Sequence, residues 1–125
     1  MAPRLRVLPA RALLGLVGFL VACSSSPGLP TVQGPTGAQL ELAATEMRFV
    51  PSRIAVAAGD VPVVLRNGGQ LIHDLRIQDK PTFLLEAGPG KTVTATWSLP
   101  KGRYEIYCSL PGHRSGGMEG LLEVR

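Results

Sequence analysis

Thr92-Val93-Thr94-Ala95-Thr96-Trp97-Ser98-Leu99-Pro100-Lys101-Gly102-Arg103-Tyr104-Glu105-Ile106-Tyr107-Cys108 is the most regular stretch of the chain. Val93, Ala95, Trp97 and Leu99 alternate with Thr92, Thr94, Thr96 and Ser98. Successive side chains of an extended strand point to opposite faces, so one set is buried and the other faces water. Pro100-Lys101-Gly102 turns the chain back. Tyr104, Ile106 and Cys108 then alternate with Arg103, Glu105 and Tyr107.

The same signature recurs on either side. Leu40 and Leu42 alternate with Gln39 and Glu41, and Met47, Phe49 and Val50 lead to Pro51. Ile54 and Val56 precede the turn Ala58-Gly59-Asp60. Val61 to Leu65 is apolar and β-branched, and Pro62 places that run on an edge or at a strand start. Asn67-Gly68-Gly69 ends it. In Leu71 to Ile77, His73 shares its parity with Leu75 and Ile77, which puts the imidazole on the core side. Phe83-Leu84-Leu85 reads as a short strand or a packed loop, and Leu122 and Val124 as a last strand. Short strands with turns every eight to twelve residues and no helical period imply an all-β antiparallel sandwich over 38–125.

The segment ahead of it has a different character. Arg4, Arg6 and Arg11 precede an apolar run, Ala12 to Ala22, that has the length of a secretory leader core and is too short to span a bilayer. It ends in Leu20-Val21-Ala22-Cys23, which resembles the bacterial lipoprotein signal. The reading is a lipoprotein signal peptide over 1–22, lipidation at Cys23, and a Ser/Pro/Gly linker completing 23–37. The 14 residues from Ser24 to Gly37 could reach roughly 45 Å when extended. A soluble exported chain cut near Ala22 is the alternative. Setting the leader arginines aside, ten basic residues face nine acidic ones, so nothing points to nucleic acid. With Cys23 lipidated, Cys108 is a lone thiol in an oxidising compartment, which a bound metal would protect.

Cys108 opens the second decisive stretch: Tyr107-Cys108-Ser109-Leu110-Pro111-Gly112-His113-Arg114-Ser115-Gly116-Gly117-Met118. The pattern is Cys-x4-His-x4-Met on a loop whose Pro and Gly residues exclude a regular helix and bend it toward one point. His73, the only other histidine, comes to that point from across the sandwich. Taken singly, a core histidine, a small buried cysteine and a packing methionine are the ordinary readings. Their convergence points to a metal. One thiolate, two imidazoles and a thioether form the donor set of a mononuclear copper electron-transfer site. Structural zinc sites seldom use Met. A heme attachment motif, a second cysteine for a binuclear centre and the histidines of a multicopper oxidase are absent. No third group orients His113 for nucleophilic catalysis by Cys108, so the chain reads as a non-enzyme.

Asn67 to Ile77 followed by Tyr107 to Met118 resembles the cupredoxins, or blue copper proteins, and the loop is most similar to auracyanin and rusticyanin-like members. The resemblance covers the whole of 38–125. It implies a Greek-key β-sandwich, one copper ion cycling between Cu(I) and Cu(II), His73, Cys108 and His113 as equatorial ligands, and Met118 as the axial one. It also implies that His113 lies nearest solvent, amid an apolar docking patch of Leu110, Pro111, Gly112 and Gly117 with Arg114 as a charge at its rim. Well-known members often carry Asn or Ser after the first histidine ligand. Here Asp74 stands there, expected to brace the loop near Ser109 and to lower the reduction potential. Pro111 removes one backbone donor near the thiolate. The partners expected are redox proteins such as c-type cytochromes or membrane oxidoreductases, met transiently by a monomer at the cell envelope. Two other readings use the same residues: copper storage, delivery or sensing, and a metal-free structural lipoprotein.

Overall fold

The structure is a computed structural model that describes Pro30, Val32 and residues 36–125. The proposed leader and Cys23 lie outside the described residues. Nine strands follow one another: β1 (Leu40–Thr45), β2 (Arg48–Val50), β3 (Arg53–Val56), β4 (Gly59–Asn67), β5 (His73–Ile77), β6 (Lys80–Ala87), β7 (Thr92–Leu99), β8 (Gly102–Tyr107) and β9 (Glu119–Val124). They form a four-stranded sheet, β2-β1-β4-β7, and a five-stranded sheet, β3-β9-β8-β5-β6. No helix occurs among the described residues. The expected all-β sandwich is therefore present, with two refinements. The pairs β1–β4 and β3–β9 are parallel, so each sheet is mixed. And the turn after Leu99 passes the chain between sheets: β7 pairs with β4, whereas β8 pairs with β9 and β5.

The alternation read from sequence becomes the two inner faces. Leu40, Leu42 and Ala44 of β1, Val61, Val63 and Leu65 of β4, and Trp97 and Leu99 of β7 are buried. They meet Leu75 and Ile77 of β5, Ile106 of β8, and Leu122 and Val124 of β9 in one core cluster. Fully burying each such aliphatic chain contributes about 1.5–3 kcal/mol. Phe83 and Leu85 make β6 a strand and not a loop, and the Phe83 ring lies 5.3 Å from that of Trp97, closing one side of the sandwich.

Pro62 lies in the interior strand β4, not on an edge. It is tolerated because β1 begins opposite Val63, so position 62 lies beyond the end of that neighbour. The linker also departs from expectation at one described point. Val32 is buried beside Ala55 and Leu121. Its N–H donates to Glu123 Oε2 at 2.9 Å, and its carbonyl accepts from Arg125 at 2.5 Å.

The topology decides where the loop ends meet. β5 and β9 both run antiparallel to β8. The start of β5, the end of β8 and the start of β9 therefore lie at the same end of one sheet. His73 opens β5, Cys108 follows β8 and Met118 precedes β9. His73 thus comes from the strand next to β8 in the same sheet, and not from across the sandwich.

Candidate metal centre

Each candidate side chain is placed by its local chain. His73 is fully buried at the head of β5, sharing the inner face with Leu75 and Ile77. Cys108 N–H donates to Met118 O at 3.1 Å, which pins the neck of the loop. Inside it, His113 N–H donates to Leu110 O at 3.1 Å, and Met118 N–H to His113 O at 3.0 Å. Gly112 and Gly117 have φ of 82° and 108°, a region that side-chain-bearing residues rarely adopt, so the bends need glycine there. The backbone thereby sets Met118 beside both Cys108 and His113, and its side chain is wholly buried in the core cluster.

The donor atoms converge. His73 Nδ1 lies 3.2 Å from His113 Nδ1, and Cys108 Sγ lies 3.4 Å from His113 Nδ1. One donor from each of the three residues falls within 4.8 Å of the others. Three donors bound at about 2.0–2.3 Å to one ion in a trigonal plane would stand roughly 3.5–4 Å apart. The cluster fits a single metal ion with little rearrangement, and its mixed imidazole and sulfur character suits copper.

Burial favours the uncharged form of both His73 and Cys108. Burial, and after it the neighbouring His113, pushes the His73 imidazole below its ordinary range, with Glu46 opposing. A neutral imidazole is the form that binds metal. Burial pushes the Cys108 thiol up, while backbone N–H groups of Asp74 and Leu110 pull the other way. The Asp74 N–H reaches Cys108 Sγ at 3.4 Å. The sulfur therefore keeps donors from Asp74 and Leu110 despite Pro111. Loading a metal releases the thiol proton.

Asp74 is buried, on the face of β5 opposite His73, because the loop folds over it. Its carboxylate accepts from Ser109 N at 2.6 Å and from Ser109 Oγ at 2.5 Å, the brace expected from the sequence. Arg76, two residues along the same face, lies 3.4 Å from Asp74 Oδ2 and donates to Ser109 Oγ at 2.9 Å. The period-two relation is visible in the sequence; the countercharge it supplies appears only in the fold. Arg114, expected as a charge at the rim, is held in place by its neighbours. Its guanidinium lies 4.4 Å from the centre of the Tyr107 ring and pairs with Glu105 and Glu119.

Three further features escaped the sequence reading. Buried Asn67 pins the segment before His73 by donating to Leu71 O at 2.7 Å and Ala87 O at 2.8 Å while accepting from Gly69 N. Leu71 and Ile72 are not part of β5 but stand 45% and 48% exposed just ahead of it. Glu46, in the turn between β1 and β2, accepts from the N–H groups of Gln70 and Leu71, which hold its carboxyl below the usual carboxylate range. A turn residue has no strand parity, so no pattern marks it.

Comparison with known proteins reaches the same place. Residues 37–125 match the family of copper binding proteins described as the plastocyanin/azurin family. The chain is 36% identical over 90 residues to a chloroplastic plastocyanin of Fritillaria agrestis, covering 62% of this chain and 52% of that one. It is 30% identical over 100 residues to the copper-resistant cuproprotein CopI of Rubrivivax gelatinosus, covering 63% of this chain and 61% of that one. The chain thus spans between half and two thirds of these relatives' lengths. Among solved structures, reduced auracyanin from Roseiflexus castenholzii superposes with a TM-score of 0.65 at 21% identity, covering 73% of this chain and 99% of that one. Auracyanin B superposes with a TM-score of 0.55 at 20% identity, covering 75% and 94%. These likenesses are in fold. With the family match over 37–125 and the converged His73, Cys108 and His113, the chain belongs to the plastocyanin/azurin family of copper-binding proteins, the cupredoxins.

Proposed function

We propose that this chain is an exported, lipid-anchored electron carrier with one copper ion held by His73, Cys108, His113 and Met118. The observation that carries the reading is the convergence of three buried donors within 4.8 Å on rigid strand ends and a pinned loop. The bound copper would supply one-electron chemistry by cycling between Cu(II) and Cu(I). The protein's part is to hold the donors in one arrangement for both states, so that little has to move when an electron arrives. Cys108 directly follows β8, and His113 is 8% exposed while the other three residues are 0% exposed. The His113 edge is thus the short way in for an electron. Leu110 is half-buried beside it, with exposed Pro111 and Gly112, and together they offer a small apolar face for brief contact with a redox protein such as a c-type cytochrome or a membrane oxidoreductase.

Adding Cu(II) to the metal-free chain and recording visible and EPR spectra tests the site. The expected result is an intense thiolate-to-copper band with small copper hyperfine splitting, lost in Cys108→Ser. A colourless wild type would end the reading. The relative named as a copper-resistant cuproprotein supports a second reading, copper handling at the envelope. Rapid electron self-exchange with retention of copper against a Cu(I) chelator favours the carrier; ready surrender of Cu(I) favours delivery. The anchor rests on Cys23, and Cys23→Ser is expected to move the protein from the membrane fraction to the soluble one.

A further inference from the structure

His73 Nδ1 faces the site, 3.2 Å from His113 Nδ1, so the opposite nitrogen, Nε2, carries the proton when Nδ1 binds a metal. That nitrogen is buried and has no hydrogen-bond partner. A buried donor without an acceptor keeps the full penalty of leaving water and calls for an explanation. Across from it stands Glu46 Oε1, at 3.7 Å, too far for a formed hydrogen bond.

The surroundings are built to seat that carboxylate. Oε1 accepts from Gln70 N at 2.5 Å and Leu71 N at 2.9 Å, which ties it to the segment leading into His73. Gly69 leaves the room: a Cβ there would lie 2.8 Å from Glu46 Cδ and closer still to both oxygens. Met47, the next residue, has φ of 54° and packs its side chain against Gly116 of the ligand loop. The β1–β2 turn therefore touches both segments that carry histidines. Both backbone donors fall on Oε1, and a carboxylate has about four acceptor positions over its two oxygens, so the capacity for a third donor lies mainly on Oε2, which a rotation of the carboxylate turns toward Nε2.

We propose that Glu46 is the positioning residue of His73, accepting its Nε2–H and setting a negative charge behind the copper ligand. Partners of this kind fix the tautomer of a metal-bound histidine and raise its basicity. The charge favours Cu(II) over Cu(I) and lowers the reduction potential. Closing the gap takes adjustment of a side chain that is 40% exposed, not of the sheet. The inference rests on the copper reading above, and its test separates the two.

Reduction potentials are measured on the copper-loaded full chain for wild type, Glu46→Gln, Gly69→Ala and Glu41→Gln. Glutamine keeps an oxygen for the Gln70 and Leu71 N–H groups but removes the charge. Gly69→Ala displaces the carboxylate without altering Glu46. Glu41, equally exposed at 40% but paired with Arg66, is the matched control. The expected result is a threefold to tenfold fall in the Cu(II)-over-Cu(I) affinity ratio in both Glu46→Gln and Gly69→Ala, where tenfold corresponds to about 59 mV for one electron. Glu41→Gln is expected to leave it unchanged. Blue protein whose potential moves no more in Glu46→Gln and Gly69→Ala than in Glu41→Gln overturns the proposal alone. Nitrogen NMR of the metal-free chain gives a reading that needs no copper: His73 is expected to carry its proton on Nε2, and a proton on Nδ1 overturns the inference even if no copper binds.

Discussion

Asp74 directs its carboxylate at Ser109, whose N–H and hydroxyl both donate to it, and Arg76 stands alongside at 3.4 Å. The residue thus ties the strand of one histidine to the loop of the other. Asp74→Ala would leave the Ser109 N–H without its acceptor, at a cost of about 1–3 kcal/mol. Urea unfolding of the metal-free protein is expected to show a loss of that size, with a smaller one in Asp74→Asn, which keeps an acceptor. The charge lost in Asp74→Asn is also expected to raise the reduction potential. Arg76 already offsets part of it, so this rise should be smaller than that of Glu46→Gln, and no rise at all would remove Asp74 from the account of the potential. A bracing role for Asp74 was legible through the family resemblance, from its place after His73. Arg76 as countercharge was not, because a sequence pattern does not say whether two neighbours on one face turn toward each other.

At the scale of elements, Val32, ahead of β1 in the chain, packs over β3 and β9 at Ala55 and Leu121. Glu123 on β9 receives the Val32 N–H, and this, followed by Arg125, holds its carboxyl below the usual range. A carboxyl depressed in the folded state contributes stability that is fully present above the unfolded value, about 4.3, and is lost as pH falls through the folded value. Wild type and Glu123→Gln are therefore expected to differ in urea midpoint at pH 7 and to converge as the pH drops well below 4. A gap that persists unchanged in acid would show that the Glu123 charge is not its source. The linker composition around Val32 reads correctly as poor in apolar groups. One valine is still enough to dock when Ala55 and Leu121 leave an apolar site for it.

For the whole molecule, what matters is which side chains share the end that carries the site. Leu110 borders His113, and exposed Leu71 and Ile72 lead into His73. A charge on this face should hinder a small transient contact without touching the donors. Leu110→Asp is expected to slow electron exchange with the redox partner about tenfold, equivalent to roughly 1.4 kcal/mol. Its copper spectrum should match wild type. Unchanged exchange would place the docking face elsewhere.

The residue types of the centre and the strands that hold them are legible in the order of residues alone. Cys108, His113 and Met118 lie on one loop that Pro and Gly force to bend, and period-two alternation marks which face of each strand is buried. Tertiary structure alone decided which strands are neighbours. Alternation reports burial and is blind to pairing, so the parallel pairs β1–β4 and β3–β9, and the passage from β7 to β8 between sheets, left no trace in it. For the same reason His73 was expected from the opposite sheet, when β5 lies beside β8. Glu46 shows the limit most plainly. It is 27 residues from His73 in the chain, and only the folding of the β1–β2 turn against the Asn67 to Leu71 segment brings its carboxylate to the buried imidazole.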